Sequence, residues 1–289
     1  MRRCWTLPRG TGLNTYGVST LFYQTSVPGQ HLREAHNDYL QLAAEGDYRG
    51  RPPWRSKCYT DLIMSTGRAL IIEDRVIVPD AAFDHTGYRA WVTSDAYPER
   101  VRTTYVRGEV LVEMSPESIE AHNKVKAAVT AALVSFVQAH DLGEVYPDGA
   151  LVTNEEAGLS CEPDLTFVSW AAFDEGRVRL VPRVGDSSDF IEILGSPDLV
   201  VEIVSDSSVK KDNRFLRDAY GRANVREYWL IDDRGSDMRF EILSKAGDAF
   251  ASTDDPLAPQ RSGVLGGRWS LTRARNRAGR FSYTLERTA

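Results

Sequence analysis

The feature that most constrains this chain is residues 199–204 (LVVEIV), a continuous apolar run interrupted by one acid. A run of this kind is typical of a strand that is covered on both faces. Because side chains alternate along a strand, Glu202 lies on the same face as Val200 and Val204. Burying an unpaired carboxylate is costly, so Glu202 needs a metal, a cation or a proton. Two alternatives stay open for this residue alone: an ion pair with a core arginine, or a place on an exposed edge strand.

A second acid stands at the start of another apolar strand. Residues 162–168 (EPDLTFV) place Asp164 directly after a proline, which fixes the backbone at the beginning of the strand. If the two strands are neighbours, Asp164 and Glu202 converge on one hard cation. Magnesium commonly takes only one or two protein carboxylates, together with water and phosphate oxygens. The alternative for Asp164 alone is an ordinary turn residue.

Hydrophobic periodicity predicts the order strands, helix, strands, helix, strands. Ser115 is expected to cap a long helix, in which Val125, Val129, Leu133 and Phe136 repeat at helical spacing. A second helix is expected over residues 212–223 and a short one over 84–94. Residues 171–196 resemble an insertion or surface excursion. Strands are predicted at residues 69–78, 102–114, 149–153, 164–169, 198–205, 227–232, 239–243, 264–271 and 281–285. This order predicts a mixed central sheet with helices packed on it.

The ends of the chain differ from its middle. Residues 1–63 have weak periodicity and many Gly, Pro and Arg residues, so they are predicted to be an N-terminal extension of a domain that spans residues 64–289. Met64 as the true translation start is a hypothesis. Three widely spaced cysteines, Cys4, Cys58 and Cys161, form neither a disulfide framework nor a zinc-spaced pair, which favours a cytoplasmic setting. No apolar run approaches the ~20 residues of a membrane span, so no membrane partner is expected.

Charge is unevenly distributed along the chain. The net charge is −6, but residues 261–289 hold seven arginines and one acid. A nucleic-acid-binding protein usually shows a basic footprint, and the terminal segments are the candidates for one here. The alternative is a solvated tail and strand edge. The arginines concerned in this C-terminal segment are Arg268, Arg273, Arg275, Arg277 and Arg280.

Several motifs in series resemble one protein family. They are Pro163-Asp164, residues 197–205 (PDLVVEIVS), Asp212, Tyr220 and residues 225–232 (VREYWLID), preceded by residues 107–110 (RGEV), residues 114–116 (MSP) and His122. Together they resemble the Uma2 (Uma-two) family, a group of restriction endonuclease-like proteins in the PD-(D/E)xK nuclease superfamily. The resemblance covers residues 69–243. It implies the α/β (α+β) class with a restriction endonuclease-like core, in which helices flank a mixed central β-sheet.

The resemblance also implies a metal site. In such nucleases an Asp and a Glu bind Mg²⁺, which here are Asp164 and Glu202, and the backbone carbonyl of Ile203 is expected to complete the coordination. The ion would polarise the scissile phosphate and lower the pKa of its bound water.

A lysine that orients or activates the attacking water is also implied. The superfamily places it two residues after the Glu, where this chain has Val204, and many Uma2 members place it on the following helix, where this chain has Leu216. Lys211 and Lys210 lie just before that helix and are the candidates that remain. Surface charge is the alternative for both lysines.

Four further residues are candidates for an additional part of the site. Glu117, Glu120 and His122 lie in the first long helix, from which related nucleases often supply an extra acid. His122 shares a face with Val125, so a hydrogen-bonded core histidine is the alternative. Asp212 falls on the inward face of its helix, where it would either hold a site cation or cap the helix.

These observations lead to a hypothesis of a Mg²⁺- or Mn²⁺-dependent endonuclease that hydrolyses DNA phosphodiester bonds. Val204 and Leu216 at the usual lysine positions motivate an alternative, a catalytically weakened nuclease-fold module that binds nucleic acid or protein. A hydrolase acting on another phosphate ester is a third interpretation, because fold does not fix function. Since nuclease-fold dimers are common, homodimerisation is also a hypothesis.

Overall fold

The computed structural model describes residues 20–24, 69–72, 76–98, 101–113, 117–206, 208–209, 211–247, 249–252, 254–255 and 258–288. The hypothesis about Met64, the predicted cap Ser115 and the candidate Lys210 lie outside the described residues. Within these ranges no helix is both long enough and apolar enough to cross a membrane.

Strands dominate the described residues, and short helices connect or cover them. The helices are α1 (His85–Val92), α2 (a π-helical start Ile119–Asn123 and then Lys124–Ala139), α3 (Trp170–Asp174) and α4 (a π-helical start Lys211–Leu216 and then Arg217–Arg222). The strands are β1 (Thr20–Gln24), β2 (Ala69–Ile72), β3 (Val76–Pro79), β4 (Arg102–Val106), β5 (Glu109–Glu113), β6 (Gly143–Pro147), β7 (Leu151–Asn154), β8 (Leu159–Cys161), β9 (Leu165–Ser169), β10 (Val178–Arg183), β11 (Asp186–Gly195), β12 (Leu199–Ile203), β13 (Glu227–Asp232), β14 (Arg239–Ala246), β15 (Ala249–Ser252), β16 (Gln260–Arg261), β17 (Arg268–Arg275) and β18 (Phe281–Thr288).

A six-stranded sheet positions the candidate site. Its strand order is β15-β14-β13-β12-β9-β6, with β12 and β13 parallel and the other neighbours antiparallel. β9 and β12 pair with Phe167 opposite Leu199 and with Leu165 opposite Val201. Continuing this antiparallel register by one residue sets Asp164 opposite Glu202, at one end of both strands.

Both faces of this sheet are covered, as the apolar sequence of β12 predicts. On one face Leu199 and Val201 pack in a cluster with Val129 of α2 and with residues of the C-terminal strands. On the other face Val200 packs in a cluster with Tyr220 of α4. Together with the mixed strand pairing, this confirms the predicted α/β (α+β) class, with a mixed sheet flanked by helices.

The start of α2 differs from the prediction. The helix begins at Ile119, and the hydroxyl of Ser118 accepts a hydrogen bond from the Ala121 N–H. Its first turn is π-helical, so the N–H groups of His122 and Asn123 both point to the Ser118 carbonyl. The wider turn brings His122 onto the buried side of the helix, where it is 4% exposed.

Residues 171–196 are not a mere surface excursion, and that prediction is wrong. They form α3 and then the hairpin β10–β11, and β11 pairs in parallel with β7 inside a seven-stranded sheet. The order of that sheet is β1-β5-β4-β8-β7-β11-β10. The tip of the hairpin is exposed, with Val184 at 98%, while Ile193 near the end of β11 is buried. The polar, exposed tip gives the sequence no apolar pattern there, although the second half of β11 belongs to the core.

The remaining strands form two small sheets. β16-β17-β18 packs over α2 and the central sheet, and β2 pairs with β3 within residues 69–79, where strand structure is predicted. β1, from the predicted extension, pairs with β5 with Thr20 opposite Glu113. The boundary after residue 63 stays a prediction.

Candidate functional site

Asp164 lies buried at the start of β9, held by groups from two other elements. Its Oδ2 atom accepts a hydrogen bond from the Ile203 N–H of β12 at 2.8 Å. Two cationic groups of α2 reach it as well: the Lys126 Nζ lies 2.8 Å from Oδ1, and the His122 Nε2 lies 3.4 Å from Oδ2. The carboxylate is 4% exposed, so it is bound almost entirely by protein groups.

Glu117 and Arg102 extend this group toward solvent. The Glu117 carboxylate lies 3.1 Å from the His122 Nδ1 and 3.0 Å from the Lys126 Nζ. Arg102 forms an ion pair of 2.7 Å with Glu117 and one of 2.7 Å with Asp148. We call this set the Asp164 cluster, and its six members are Arg102, Glu117, His122, Lys126, Asp148 and Asp164.

The charges of the Asp164 cluster balance one another, and this shifts their pKa values. Burial would raise the pKa of Asp164, but hydrogen bonding and charge from His122 and Lys126 outweigh it and hold that pKa below its usual range. The hydrogen bond with His122 is the main reason that the pKa of Glu117 falls to about 2. Burial would lower the pKa of His122, but Asp164 and Glu117 together raise it to about 9. At neutral pH three cations therefore face three carboxylates.

Glu202 lies at the same strand end, where burial and then the charge of Asp164 contribute to raising its pKa. It is 3% exposed, and its Oε1 accepts a hydrogen bond from the Tyr220 hydroxyl of α4 at 2.6 Å. The Cys161 Sγ lies 3.3 Å from the same hydroxyl. Within the described ranges Glu202 forms no ion pair with an arginine or lysine, so the core-arginine alternative does not hold there. The edge-strand alternative is excluded as well, because β9 and β13 flank β12.

Lys211 and Asp212, at the start of α4, face the same space as Glu202. The Lys211 Nζ lies 2.6 Å from the Glu113 Oε2 of β5 and 3.6 Å from the Asp212 Oδ1. The other oxygen of Asp212, Oδ2, accepts a hydrogen bond from the Ser208 hydroxyl. This carboxylate contact is with a side chain and not with helix N–H groups, so it is not a helix cap. We call Glu113, Glu202, Lys211 and Asp212 the Glu202 cluster.

Three carboxyl groups and one ammonium make the Glu202 cluster acidic. Burial, reinforced by the charge of Asp212, raises the pKa of Glu202 well above its usual value, although Lys211 opposes the shift. Burial likewise raises the pKa of Asp212 to about 7. Burial would lower the pKa of Lys211, but the charges of Asp212 and Glu113 outweigh it and raise that pKa. The pKa shifts of Lys211 and Glu202 therefore both favour the protonated form of the group.

Two donor sets in this region could hold a metal ion. Ligand atoms of Glu117, His122 and Asp164 all lie within 4.8 Å of one another, but Lys126 and Arg102 already neutralise that set. In the Glu202 cluster, the buried Asp212 Oδ1 has no hydrogen-bond partner among the described residues and lies 3.6 Å from the Lys211 Nζ, and Glu202 forms no ion pair there. Mg²⁺ and Mn²⁺ prefer hard carboxylate oxygens. The Glu202 cluster, with three carboxyl groups and one ammonium, therefore has the donor chemistry for a divalent cation.

The structure brings most of the predicted site residues together. Asp164, Glu117 and His122 lie in one cluster and Glu202, Lys211 and Asp212 in the other. Glu120 lies apart, paired with Lys124 at 2.7 Å on the outside of α2. Val204 and Leu216, at the two usual lysine positions, are both in the apolar core.

Sequence reasoning missed Lys126 and Glu113 as members of these clusters. Lys126 stands four residues after His122, and residues four apart share a helix face, so the spacing carried a usable signal. Glu113 is the last residue of β5, and nothing in its local sequence distinguishes it from the acid at the other end of that strand.

An open cleft of about 1090 Å³ lies beside the Asp164 cluster, between the segment after α1, β6 and the β10–β11 hairpin. Arg102 and Asp148 of the cluster line it. Its charged lining consists of Arg102, Arg183 and six acids, namely Asp95, Glu144, Asp148, Glu162, Asp189 and Glu192. The cleft gives solvent and small solutes access to the cluster, and it is strongly acidic.

Comparison with known proteins identifies a family and solved structures with a similar fold. Residues 88–248, more than half of the chain, match the family Uma2, described as a putative restriction endonuclease. The resemblance seen in the sequence is thereby confirmed. A crystal structure described as a putative nuclease belonging to DUF820 from Anabaena variabilis is similar with a TM-score of 0.42 and 15% identity, covering 57% of this chain and 83% of that chain. Comparison with curated proteins gave no match.

Proposed function

Because the chain belongs to the Uma2 family of putative restriction endonucleases, we propose that it is a metal-dependent endonuclease that hydrolyses DNA phosphodiester bonds. The observation that carries this proposal is the antiparallel pairing of β9 with β12, which sets Asp164 and Glu202 at the same end of neighbouring strands. The buried Asp212 Oδ1, which has no hydrogen-bond partner among the described residues, belongs to the acidic cluster that includes Glu202.

Asp164 and Glu202 are the proposed metal ligands, with Asp212 as a further carboxylate and Mg²⁺ or Mn²⁺ as the ion. When bound, the ion would lower the pKa of a coordinated water and stabilise charge on the phosphate. The protein positions these ligands in advance. The Ile203 N–H fixes Asp164 at 2.8 Å, and the Tyr220 hydroxyl fixes Glu202 at 2.6 Å. Preorganised ligands lose little freedom when the ion arrives.

Lys211 takes the role of the lysine that Val204 and Leu216 do not supply. Its raised pKa keeps it protonated, so it cannot serve as a general base. We infer that it donates hydrogen bonds and offsets negative charge on the phosphate or the attacking water. Lys210 remains a second candidate from the sequence alone.

A nicking assay tests the proposed activity. Supercoiled plasmid is incubated with the pure protein and Mg²⁺ or Mn²⁺, and Asp164→Asn and Glu202→Gln are compared with the wild type. We expect either variant to lose two to three orders of magnitude in rate, roughly what loss of one transition-state contact costs. Glu156→Gln, an exposed acid outside both clusters, is the matched control. No nicking by the wild type, or nicking by both site variants at the wild-type rate, rejects the proposal.

A non-catalytic binding module is the second candidate, and one observation favours it. Lys126 and His122 already neutralise Asp164, so this part of the site is stable without any added ion. A chain of this kind could bind nucleic acid or protein on a nuclease scaffold. Duplex binding that persists in EDTA and in Glu202→Gln, with no cleavage under any metal, would select this candidate over the enzyme.

We further propose a cytoplasmic location and a homodimer. The cytoplasmic proposal rests on the cysteine pattern, and Cys161 is a buried free thiol. The dimer is proposed because nuclease-fold dimers are common. Light scattering on the purified protein tests it, and a monomer mass at micromolar concentration would reject the dimer.

A further inference from the structure

The tip of the β17–β18 hairpin concentrates positive charge on a protein whose net charge is −6. Arg275, Arg277 and Arg280 lie in and beside the turn, and every residue from 275 to 280 is exposed. Within the described part of the chain, none of the three forms an ion pair with an acid. We call these three residues the arginine tip.

The arginine tip is held in a defined shape. The Asn276 N–H donates to the Arg280 carbonyl at 2.8 Å, and the Asn276 Oδ1 accepts from the Ala278 N–H at 2.9 Å. The Arg275 guanidinium lies over the Phe281 ring at 4.2 Å. Arg273, on the same ring, is committed to Asp233 and is not part of the tip. A fixed turn presents its cations at less entropic cost than a loose tail does.

The hairpin that carries the tip packs on α2, the helix that supplies His122 and Lys126 to the Asp164 cluster. The Lys124 Nζ of α2 donates to the Phe281 carbonyl at 3.1 Å. Lys124 lies on the outer face of α2 and His122 on the buried face, so the tip lies on the outer side of that helix. A duplex carries one negative charge per ~1.7 Å of its axis, so a segment held at the tip presents many further phosphates to the neighbouring surface.

The acidic cleft makes such an anchor necessary. Six acids and two arginines line it, so phosphates approaching the Asp164 cluster through the cleft are repelled. Affinity for a polyanion must then come from cations outside the cleft. We propose that the arginine tip contacts the phosphate backbone of duplex DNA and holds it beside the start of α2. This inference rests on the proposed function for its choice of DNA, and it predicts binding that is independent of sequence.

Salt dependence of binding tests the inference without any cleavage. Fluorescence anisotropy of a labelled duplex is measured in EDTA over a series of salt concentrations, for the wild type and for Arg277→Ala/Arg280→Ala. Each lost phosphate contact lowers the slope of log K against log [salt] by about 0.9, so the double variant should lower it by about 1.8. The charge-preserving Arg277→Lys/Arg280→Lys should keep most of the slope.

The matched control removes two exposed arginines from the seven-stranded sheet, Arg107→Ala/Arg179→Ala. We expect its slope to equal that of the wild type. An unchanged slope in the tip variant, an equal loss in the control, or no duplex binding by the wild type overturns the inference. A plasmid-nicking assay separates this inference from the proposed function. If the tip variant has a lower slope but the wild type does not nick, only the catalytic proposal fails. If the wild type nicks but the tip variant keeps the wild-type slope, only the role of the arginine tip is rejected.

Discussion

Two clusters of buried charge adjoin at one end of β9 and β12, and they differ in how their charges balance. Asp164 has the Lys126 ammonium at 2.8 Å and the His122 ring at 3.4 Å. Glu202 accepts from the Tyr220 hydroxyl at 2.6 Å and forms no ion pair with any described residue, and Lys211 is engaged by Glu113. The pKa shifts of the two acids follow this difference, being lowered in Asp164 and raised in Glu202.

The difference indicates where an added cation gains most. In the Asp164 cluster a divalent ion must compete with two arginine or lysine side chains and with a protonated His122. In the Glu202 cluster the ion would compete with one cation, Lys211, and would contact the Asp212 Oδ1, which has no hydrogen-bond partner among the described residues. A buried site short of positive charge is destabilised until a cation enters it. The Asp164 cluster therefore holds its carboxylate in place before an ion arrives. Most of the favourable free energy of ion binding is expected from the Glu202 cluster.

The largest expected effect is a difference between two isosteric variants. In EDTA at pH 7, Asp164→Asn should lower the free energy of unfolding by about 3 kcal/mol, because Lys126 and His122 lose their buried partner. Glu202→Gln should change it by less than about 1 kcal/mol, since the amide resembles the protonated acid and still accepts from Tyr220. Urea unfolding measures both values. Equal losses of unfolding free energy in the two variants would contradict the difference in charge balance between the two clusters.

Metal ions should stabilise the wild type through the Glu202 side. At about a hundred times the dissociation constant, an ion that binds only the folded state adds about 2.7 kcal/mol. We expect Mn²⁺ and Mg²⁺ to raise the thermal midpoint of the wild type and of Glu156→Gln, and to leave Glu202→Gln and Asp212→Asn unshifted. A full shift in Asp212→Asn would remove that residue from the proposed ligand set.

The pH dependence of stability should have a different cause in each cluster: burial raises the pKa of Asp212, and neighbouring carboxylates raise the pKa of His122. The pKa of Asp212 is raised to about 7 from 3.8, so in EDTA its contribution is favourable at low pH and is lost as the pH rises to 7. The pKa of His122 is raised to about 9 from 6.5, so its contribution is complete below pH 6.5 and is lost as the pH rises through 9.

Two variants assign these pH limbs. Asp212→Asn should flatten the fall between about pH 4 and 7, and His122→Gln should flatten the fall between about pH 7 and 9. Chemical unfolding over a pH series gives both curves. If the fall in stability over its pH range stayed unchanged in each variant, the assignment of these falls to Asp212 and His122 would be wrong.

The fold was predictable where the apolar pattern is long and regular. The run of β12 indicates a strand covered on both faces, and the helical spacing of Val125, Val129 and Leu133 indicates the face of α2 that packs on it. The hairpin β10–β11 was not predictable, because its exposed tip interrupts the pattern and β11 becomes buried only near its end. The pairing of β11 with β7 depends on residues distant in the chain.

The site was predictable only in part, because burial alone does not identify a functional acid. Asp198, Glu202 and Glu227 all stand in apolar strand motifs, and all are buried. Asp198 is paired with Arg177 at 2.9 Å, and Glu227 accepts from the Val264 N–H at 3.0 Å. Glu202 has neither kind of partner within the described residues. Partners come from distant segments, so the sequence motif could not separate the structural acids from the candidate ligand.

The smallest expected effect concerns Glu120 and Lys124, which lie on the same helix as His122 and Lys126 but point away from the clusters. Their ion pair of 2.7 Å is partly solvent-exposed, and such pairs contribute little because water screens them. Lys124→Met should therefore lower the urea midpoint only slightly, through loss of this pair and of the hydrogen bond to the Phe281 carbonyl, and leave the metal-induced shift unchanged. Lys126→Met, two residues further along, should lower the midpoint clearly, since it strips Asp164 of its closest cation. Equal behaviour of the two lysine variants would mean that the Asp164 cluster is as solvent-screened as the outer face of α2.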